Sequence, residues 1–233
     1  RAVEAMGLHA DMTAGLSLGE YCAIAVAGGM CDLDAIRTVR SRGIFMEHAA
    51  PEGSGAMSAV LGMDAAVIED VLNGREGVSI ANYNCPGQIV ITGEAAAVAE
   101  AGTALKEAGA RRVLPLKVSG PFHSPMMRPA GEELAKVFAG VSMNPLKIPY
   151  VANINAEVIT DCGRIEGLLV EQVSGSVRWQ QSVETMIREG VDTFVEIGPG
   201  KTLTGFLRKI DKNVKAYHIG SWEEAVQVCE ELK

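Results

Sequence analysis

The sequence has few aromatic residues, no excess of positive charge and no long apolar run, and each absence excludes a class of protein. Phe, Trp and Tyr together make up 5% of the 233 residues, so the core must be built mainly from aliphatic and small side chains. With 21 basic and 29 acidic residues the formal net charge is −8, which argues against nucleic-acid binding because that binding depends on neutralising phosphates. No uninterrupted apolar stretch reaches the roughly 20 residues of a membrane-spanning helix, so we expect no membrane association.

The cysteine pattern indicates neither a disulfide framework nor a metal site. The five cysteines are scattered and form no C-x-x-C pair. A chain of this length buries most of its apolar surface on folding and needs neither a disulfide bond nor a metal ion for stability. We see no signal peptide, and therefore expect reduced thiols and a cytoplasmic location. We also expect no metal and no bound cofactor.

The order of predicted elements indicates an α/β protein with an inserted subdomain. A turn-rich break at 51–55 is followed by the order β-α-β-β-α-β as far as about residue 117, which is the ferredoxin-like pattern. Before and after it, helices alternate with strands, as in a mostly parallel sheet covered by helices. We predict a large α/β domain of residues 1–50 and 118–233 and a small subdomain of residues 51–117.

Three local sequence patterns predict where a helix begins and where two strands lie. We predict that Asp32 is the N-cap of a helix that continues to Ala49, because its side chain can accept a hydrogen bond from an unpaired amide. Residues 149–154 and 193–197 are predicted strands of the large domain.

The segment Gly15-Leu16-Ser17-Leu18-Gly19 matches G-x-S-x-G between a predicted strand and a predicted helix. This is the context of a nucleophile elbow, a tight turn that projects the serine hydroxyl out of the chain. The helix that begins there would aim backbone N–H groups at an oxyanion formed on Ser17, with the amide of Leu18 as the first donor. An incidental serine in a glycine-rich turn is the alternative.

A serine nucleophile needs a base, and the four histidines differ in their surroundings. His9 and His48 lie in polar stretches and His218 in a terminal strand, where solvation or packing is expected. His123 lies in Ser119-Gly120-Pro121-Phe122-His123-Ser124-Pro125, where two prolines exclude regular helix or sheet. Arg42, in a predicted helix, is a candidate for binding a carboxylate, although most helical arginines are solvated.

Several of these segments together resemble the malonyl-CoA:acyl carrier protein transacylases, acyltransferases of fatty acid and polyketide synthesis. The matches run in the family's order over nearly the whole chain, which makes them more specific than any single motif. They are Gly15 to Tyr21, Arg42 to Met46, Pro51 to Met57, Asn82 to Gln88, Gly120 to Ser124, Val177 to Trp179 and Glu196 to Lys201.

The resemblance implies an α/β-hydrolase-like domain with a small ferredoxin-like one, and a role for each candidate residue. Ser17 would accept the malonyl group from malonyl-CoA, and His123 would be its base, oriented by backbone carbonyls and not by a carboxylate. Arg42 would hold the malonyl carboxylate, and Phe122 is the residue that malonyl-selective members carry. The acceptor would be the phosphopantetheine thiol of acyl carrier protein.

The chain also departs from the family pattern. Leu16 stands where the family usually has His, and Arg178 stands where some members have Gln. We place Arg178 and Asn84 at the cleft. Members of the family begin with a strand and a Gly-Gln-Gly loop that contributes to the oxyanion hole. No such motif precedes Arg1, so we expect that segment to lie outside this sequence.

Two other functions stay open at this stage. A serine esterase or thioesterase would need an Asp or Glu between Ser17 and His123, and the candidates are Asp64, Asp70 and Glu94. A truncated, inactive relative that only binds carrier protein is the second alternative. We expect a monomer, and we expect acidic carrier protein to dock on basic residues beside the cleft. The candidates are Arg111, Arg112, Lys117, Lys201, Arg208 and Lys209.

Overall fold

A computed structural model describes residues 1–232 and shows a mixed α/β protein. The α-helices are α1 (Ala2–Ala5), α2 (Gly19–Ala27), α3 (Asp32–His48), α4 (Ala65–Leu72), α5 (Ala95–Glu107), α6 (Arg128–Phe138), α7 (Ile165–Ser174), α8 (Trp179–Arg188), α9 (Thr202–Ile210) and α10 (Trp222–Glu231). The strands are β1 (Thr13–Ala14), β2 (Gly55–Leu61), β3 (Val78–Cys85), β4 (Gln88–Glu94), β5 (Arg112–Pro115), β6 (Tyr150–Val151), β7 (Val158–Ile159), β8 (Thr193–Ile197) and β9 (Lys215–Ile219). Short 3-10 turns cover Pro125–Met127 and Cys162–Arg164.

The segment from β2 to β5 forms a four-stranded antiparallel sheet. Its strands lie in the order β3-β4-β2-β5, and α4 and α5 follow β2 and β4 in the chain. Apolar residues of both helices pack with Val60, Ile89 and Ile91 of the sheet in one core, because each helix has an apolar stripe and each strand has an inward side. The predicted order β-α-β-β-α-β is therefore confirmed.

The remainder of the chain surrounds a second core. Side chains of α2, α3, α6 and α7 meet there, among them Tyr21, Ile24, Leu134 and Leu169, all fully buried. Beside it, β1 pairs in parallel with β6, and β6 pairs antiparallel with β7. This pairing places the residues that follow β1 next to the residues that follow β6, and the candidate site lies there.

The expected mostly parallel sheet differs in detail from the structure. β8 and β9 pair in parallel, but within residues 1–232 they form a sheet of their own, separate from the one that holds β1. The predicted strand at 149–154 is reduced to Tyr150–Val151, because the chain turns immediately afterwards. The strand predicted at 193–197 is confirmed.

The prediction for the start of α3 is wrong by one residue. Cys31 is the N-cap, and its sulfur accepts a hydrogen bond from the amide of Asp34 at 3.4 Å. Asp32 is the first helical residue, and its carboxylate pairs instead with Arg1, at 2.9 Å. A carboxylate in the first turn still favours the helix through its interaction with the helix dipole.

Among the helices of residues 1–232, none combines the length and the apolar character that crossing a bilayer requires.

Candidate active site

Ser17 occupies a strained turn between β1 and α2. Its φ is 54°, in the left-handed region that non-glycine residues seldom adopt. A Cβ atom on Gly15 would lie 2.0 Å from the carbonyl carbon and oxygen of Gly19, so the turn cannot close with any larger residue at Gly15. A Cβ atom on Gly19 would meet nothing within 4 Å, so only the first glycine of the motif is required sterically.

Asn153 holds this turn in place. The Ser17 amide donates to Asn153 Oδ1 at 2.6 Å, and Asn153 Nδ2 donates to the Gly15 carbonyl at 2.8 Å. Asn153 follows β6, and the parallel pairing of β6 with β1 brings it to the elbow. Since the Ser17 amide is occupied, it is not available to an oxyanion. The next amide, that of Leu18, makes no hydrogen bond within residues 1–232.

His123 lies within proton-transfer distance of Ser17. Its Nε2 is 2.8 Å from Ser17 Oγ, and its Nδ1 is 2.8 Å from the Gln172 carbonyl oxygen. A carbonyl only accepts, so Nδ1 carries the hydrogen and Nε2 is free to accept the Ser17 proton. Burial, together with the nearby Arg42 cation, lowers the pKa of His123 to about 4. At neutral pH the imidazole is therefore uncharged and able to act as a base.

Arg42 brings a buried cation to the same hydroxyl. Its Nη2 donates to Ser17 Oγ at 3.0 Å and to Gln172 Oε1 at 3.1 Å. The residue is 6% exposed, and its guanidinium lies 5.7 Å from the centroid of the Tyr21 ring. Burial lowers the pKa of Arg42 from a value near 12.5, and the group stays charged at neutral pH. A buried positive charge that is shielded from solvent is suited to binding an anionic group of a substrate.

Glu20 and Gln172 complete the site, and sequence reasoning missed both. Glu20 is fully buried, and its Oε2 accepts from Gln172 Nε2 at 2.8 Å and from the Asn153 amide at 3.2 Å. Burial raises the pKa of Glu20 to about 7. One signal was available in the sequence, because Glu20 is the only charged residue of the otherwise apolar helix α2. Nothing in the sequence marked Gln172 as a site residue, because glutamine is common in helices.

The structure places the remaining predicted residues around this group. Phe122 is half-buried and packs against the core of α2, α3, α6 and α7 and against Met57 of β2. Asn84 is buried at a bulge of β3. Arg178 is exposed, with its guanidinium 5.4 Å from the Tyr83 ring centroid. Within residues 1–232, neither Asn84 nor Arg178 forms a hydrogen bond with Ser17, His123 or Arg42 through its side chain.

The other histidines and the three carboxylates of the hydrolase alternative lie elsewhere. His9 and His48 are exposed, as predicted, and His218 is hydrogen-bonded to the Gly198 carbonyl at 3.0 Å. The carboxylates Asp64 and Glu94 are at the starts of α4 and α5, and Asp70 lies within α4. In the described part of the chain the ring nitrogens of His123 bond to Ser17 and to a backbone carbonyl, and no carboxylate orients them.

No group of three or more His, Cys, Asp or Glu side chains within residues 1–232 is arranged to hold a metal ion. The arrangement is suited to activating the Ser17 hydroxyl as a nucleophile. A hydroxyl on a strained turn faces a neutral imidazole, a free backbone amide follows it, and a guanidinium is 3.0 Å from the same oxygen.

Comparison with known proteins gives a consistent result. The family model described as acyl transferase domain matches residues 2–228. The malonyl CoA-acyl carrier protein transacylase of Bacillus subtilis (strain 168) is 45% identical over 231 residues, which are 97% of this chain and 73% of the relative. The malonyl CoA-acyl carrier protein transacylase of Escherichia coli (strain K12) is 45% identical over 203 residues, which are 85% of this chain and 65% of the relative.

Comparison with solved structures also finds malonyl transacylases. MCAT from Streptococcus pneumoniae superposes with a TM-score of 0.93 at 43% identity, over 98% of this chain and 76% of that one. A type II PKS acyl-carrier protein in complex with its malonyl-transacylase gives a TM-score of 0.91 at 39% identity, over 98% and 75%. The match over nearly all of the sequence shows that the chain belongs to the acyl transferase domain family.

Proposed function

We propose that the chain transfers a malonyl group from malonyl-CoA to the phosphopantetheine thiol of acyl carrier protein, by way of a malonyl ester on Ser17. One observation carries the proposal: Ser17 Oγ contacts both His123 Nε2, at 2.8 Å, and Arg42 Nη2, at 3.0 Å. A base at that hydroxyl supports acyl transfer, and the cation supports an acyl group that carries a carboxylate. The names of the relatives agree with this assignment.

The first half-reaction follows from the contacts of Ser17. His123 Nε2 takes the hydroxyl proton as Oγ attacks the thioester carbonyl, and the carbonyl oxygen becomes an oxyanion. The unoccupied amide of Leu18 is our proposed donor to that oxyanion. When the carbonyl re-forms, the C–S bond breaks, and the imidazolium returns its proton to the departing CoA thiolate.

The second half-reaction runs the same steps in reverse with another thiol. His123 takes the proton of the phosphopantetheine thiol, and the sulfur attacks the malonyl ester. The C–O bond then breaks, and Ser17 recovers its proton from the imidazolium. The Gln172 carbonyl, 2.8 Å from Nδ1, accepts the Nδ1 hydrogen and keeps the ring in one orientation in both half-reactions.

Arg42 and Phe122 are proposed to select the acyl group. A guanidinium that is 6% exposed binds a carboxylate more strongly than one in water, because little solvent screens the pair. Phe122 packs against the core of α2, α3, α6 and α7 and against Met57 of β2, and it directly precedes His123 in the chain. We therefore propose that its ring limits the space for the acyl group. A substituted malonyl group would need a smaller side chain there.

For carrier protein we propose docking on exposed basic residues, because the partner is acidic. All six candidates are exposed, and they are Arg111, Arg112, Lys117, Lys201, Arg208 and Lys209. Lys117 lies six positions before His123, on the segment that leads from β5 into the catalytic loop. The solved complex of a related transacylase with its carrier protein supports this class of partner.

We also propose the finer architecture. The strand order β3-β4-β2-β5, with two helices on one side, supports a ferredoxin-like subdomain at 51–117. The strand-elbow-helix arrangement at Ser17 supports an α/β-hydrolase-like large domain of 1–50 and 118–233. As expected from the sequence, we propose a monomer that acts in the cytoplasm and needs no bound cofactor.

The experiment that tests the function follows the acyl group by mass. The chain is incubated with malonyl-CoA, and peptide mass spectrometry should find one malonyl group on Ser17 and none in Ser17→Ala. Addition of holo carrier protein should move that group to the phosphopantetheine thiol. Rapid loss to water before any thiol is added would favour a thioesterase, and absence of any adduct would favour an inactive relative.

A further inference from the structure

Glu20 is an acid buried at the centre of the site without touching Ser17 Oγ, His123 or the guanidinium of Arg42 through any hydrogen bond in the described part of the chain. It is 0% exposed, and one of its oxygens, Oε1, has no hydrogen-bond partner in residues 1–232. Burying a carboxyl group in this way is costly, as the rise in its pKa to about 7 shows. An apolar residue would avoid this desolvation cost, so the position calls for another explanation.

The other oxygen of Glu20 connects the two residues that hold the site together. Oε2 accepts from the Asn153 amide at 3.2 Å, and Asn153 in turn holds the elbow through Ser17 N and Gly15 O. Oε2 also accepts from Gln172 Nε2 at 2.8 Å. One acceptor atom thus fixes the segment after β6 and a side chain of α7 against the same turn.

Gln172 connects Glu20 to Arg42 by hydrogen bonds. Its Nε2 also donates to the Ser17 carbonyl at 2.9 Å, and its Oε1 accepts from Arg42 Nη2 at 3.1 Å. The two ends of an amide differ only in donor and acceptor character, and the acceptor on Glu20 selects the orientation that turns Oε1 toward the guanidinium. In the reverse orientation an NH₂ group would face Arg42 and repel it.

We propose that Glu20 is a positioning residue for acyl transfer, which holds Arg42 and the Ser17 elbow in register through Gln172 and Asn153. The inference rests on the transfer reaction proposed above, and it assigns the effect to the acceptor oxygen, not to the charge. An acceptor persists whether the carboxyl group is ionised or protonated, so the arrangement is independent of the protonation state of Glu20.

The test compares two substitutions that differ only in the acceptor. Glu20→Met removes it and keeps the length of the side chain, whereas Glu20→Gln retains one acceptor oxygen. Rates of Ser17 acylation are measured by mass with malonyl-CoA and with acetyl-CoA, which has no carboxylate for Arg42. Glu184→Met is the matched control, because Glu184 accepts from Gln180 at 2.8 Å on α8, outside the site.

We expect Glu20→Met to lower the malonylation rate by about ten- to a hundredfold, the loss that a misplacement on the order of 1 Å produces. Acetylation should fall less, so the ratio of malonyl to acetyl transfer should fall. Glu20→Gln should restore most of the malonylation rate and the ratio, and Glu184→Met should change neither. An unchanged ratio in Glu20→Met, or a Glu20→Gln variant as impaired as Glu20→Met, would overturn the inference.

A second variant covers the case in which Glu20→Met does not fold, as judged by near-ultraviolet circular dichroism. Gln172→Met removes the amide and keeps the backbone carbonyl that orients His123. It should lower the ratio of malonyl to acetyl transfer in the same way, and a wild-type ratio would again overturn the inference. A wild-type chain that takes up no malonyl group would contradict the proposed function itself, and this inference with it.

Discussion

The dependence of Ser17 acylation on pH tests the central claim that His123 is a buried, neutral base. The perturbation is a decrease of pH from 7.5 to 5.5. With a pKa of about 4, the imidazole stays almost wholly neutral over this interval. With the ordinary pKa of about 6.5, the neutral fraction would fall from about 91% to about 9%, a tenfold loss of active base.

The direction in which activity changes with pH follows from which protonation state of His123 is active. The base form of His123 accepts the Ser17 proton, so activity is lost as pH falls through the pKa, and a lowered pKa moves that loss to lower pH. Glu20 titrates in the same interval, because burial raises its pKa to about 7. The Glu20→Gln variant has no such titration, and it therefore isolates the contribution of His123.

The assay is the initial rate of malonyl–Ser17 formation at both pH values, measured by mass in the wild type and in Glu20→Gln. We expect less than a twofold decrease in both, since a base with a pKa of about 4 loses only about 3% of its neutral form by pH 5.5. A second arm extends the pH series to about pH 4, where a base with a pKa of about 4 loses activity, and compares Arg42→Met with the wild type using acetyl-CoA. Loss of the cation should raise the pKa of His123, although not to its ordinary value, because burial is the larger cause.

A tenfold decrease between pH 7.5 and 5.5 in both the wild type and Glu20→Gln would refute this account. It would mean that the imidazole titrates as it does in water, and that it is neither desolvated nor close to Arg42. An acid limb that does not move in Arg42→Met would show that the guanidinium has no influence on the ring.

Three further predictions concern selectivity, the elbow and the partner. Arg42→Ala should reduce malonylation by about 30-fold or more, the loss of a charged pair worth roughly 2 kcal/mol or more, and acetylation much less; equal losses would make Arg42 structural. Gly15→Ala should unfold or inactivate the chain, since its Cβ atom would overlap the Gly19 carbonyl at 2.0 Å, whereas Gly19→Ala should fold with a thermal midpoint close to that of the wild type. Lys117→Glu should raise the KM for carrier protein and leave the KM for malonyl-CoA unchanged in steady-state assays, and a parallel rise in both would contradict docking at Lys117.

Local features of the fold could be predicted because short-range physics determines them. The turn at Ser17 follows from Gly15 and from the strand and helix on either side of it, all within a few residues. The β-α-β-β-α-β order follows from apolar periodicity, which reports which face of each element is buried. The start of α3 shows the limit of such reasoning, because N-cap preference favours Asp32 whereas the structure uses Cys31.

The site itself required the tertiary structure, because its members are far apart in the chain. His123 follows Ser17 by 106 positions, and Asn153 and Gln172 lie further still, at 136 and 155. Their meeting depends on how β6 pairs with β1 and how α7 packs against α2 and α6, and no local pattern encodes those long-range contacts. The sequence by itself determined a strained serine and the order of elements. Only the packing decided which amides and which buried acid surround that serine and the histidine predicted beside it.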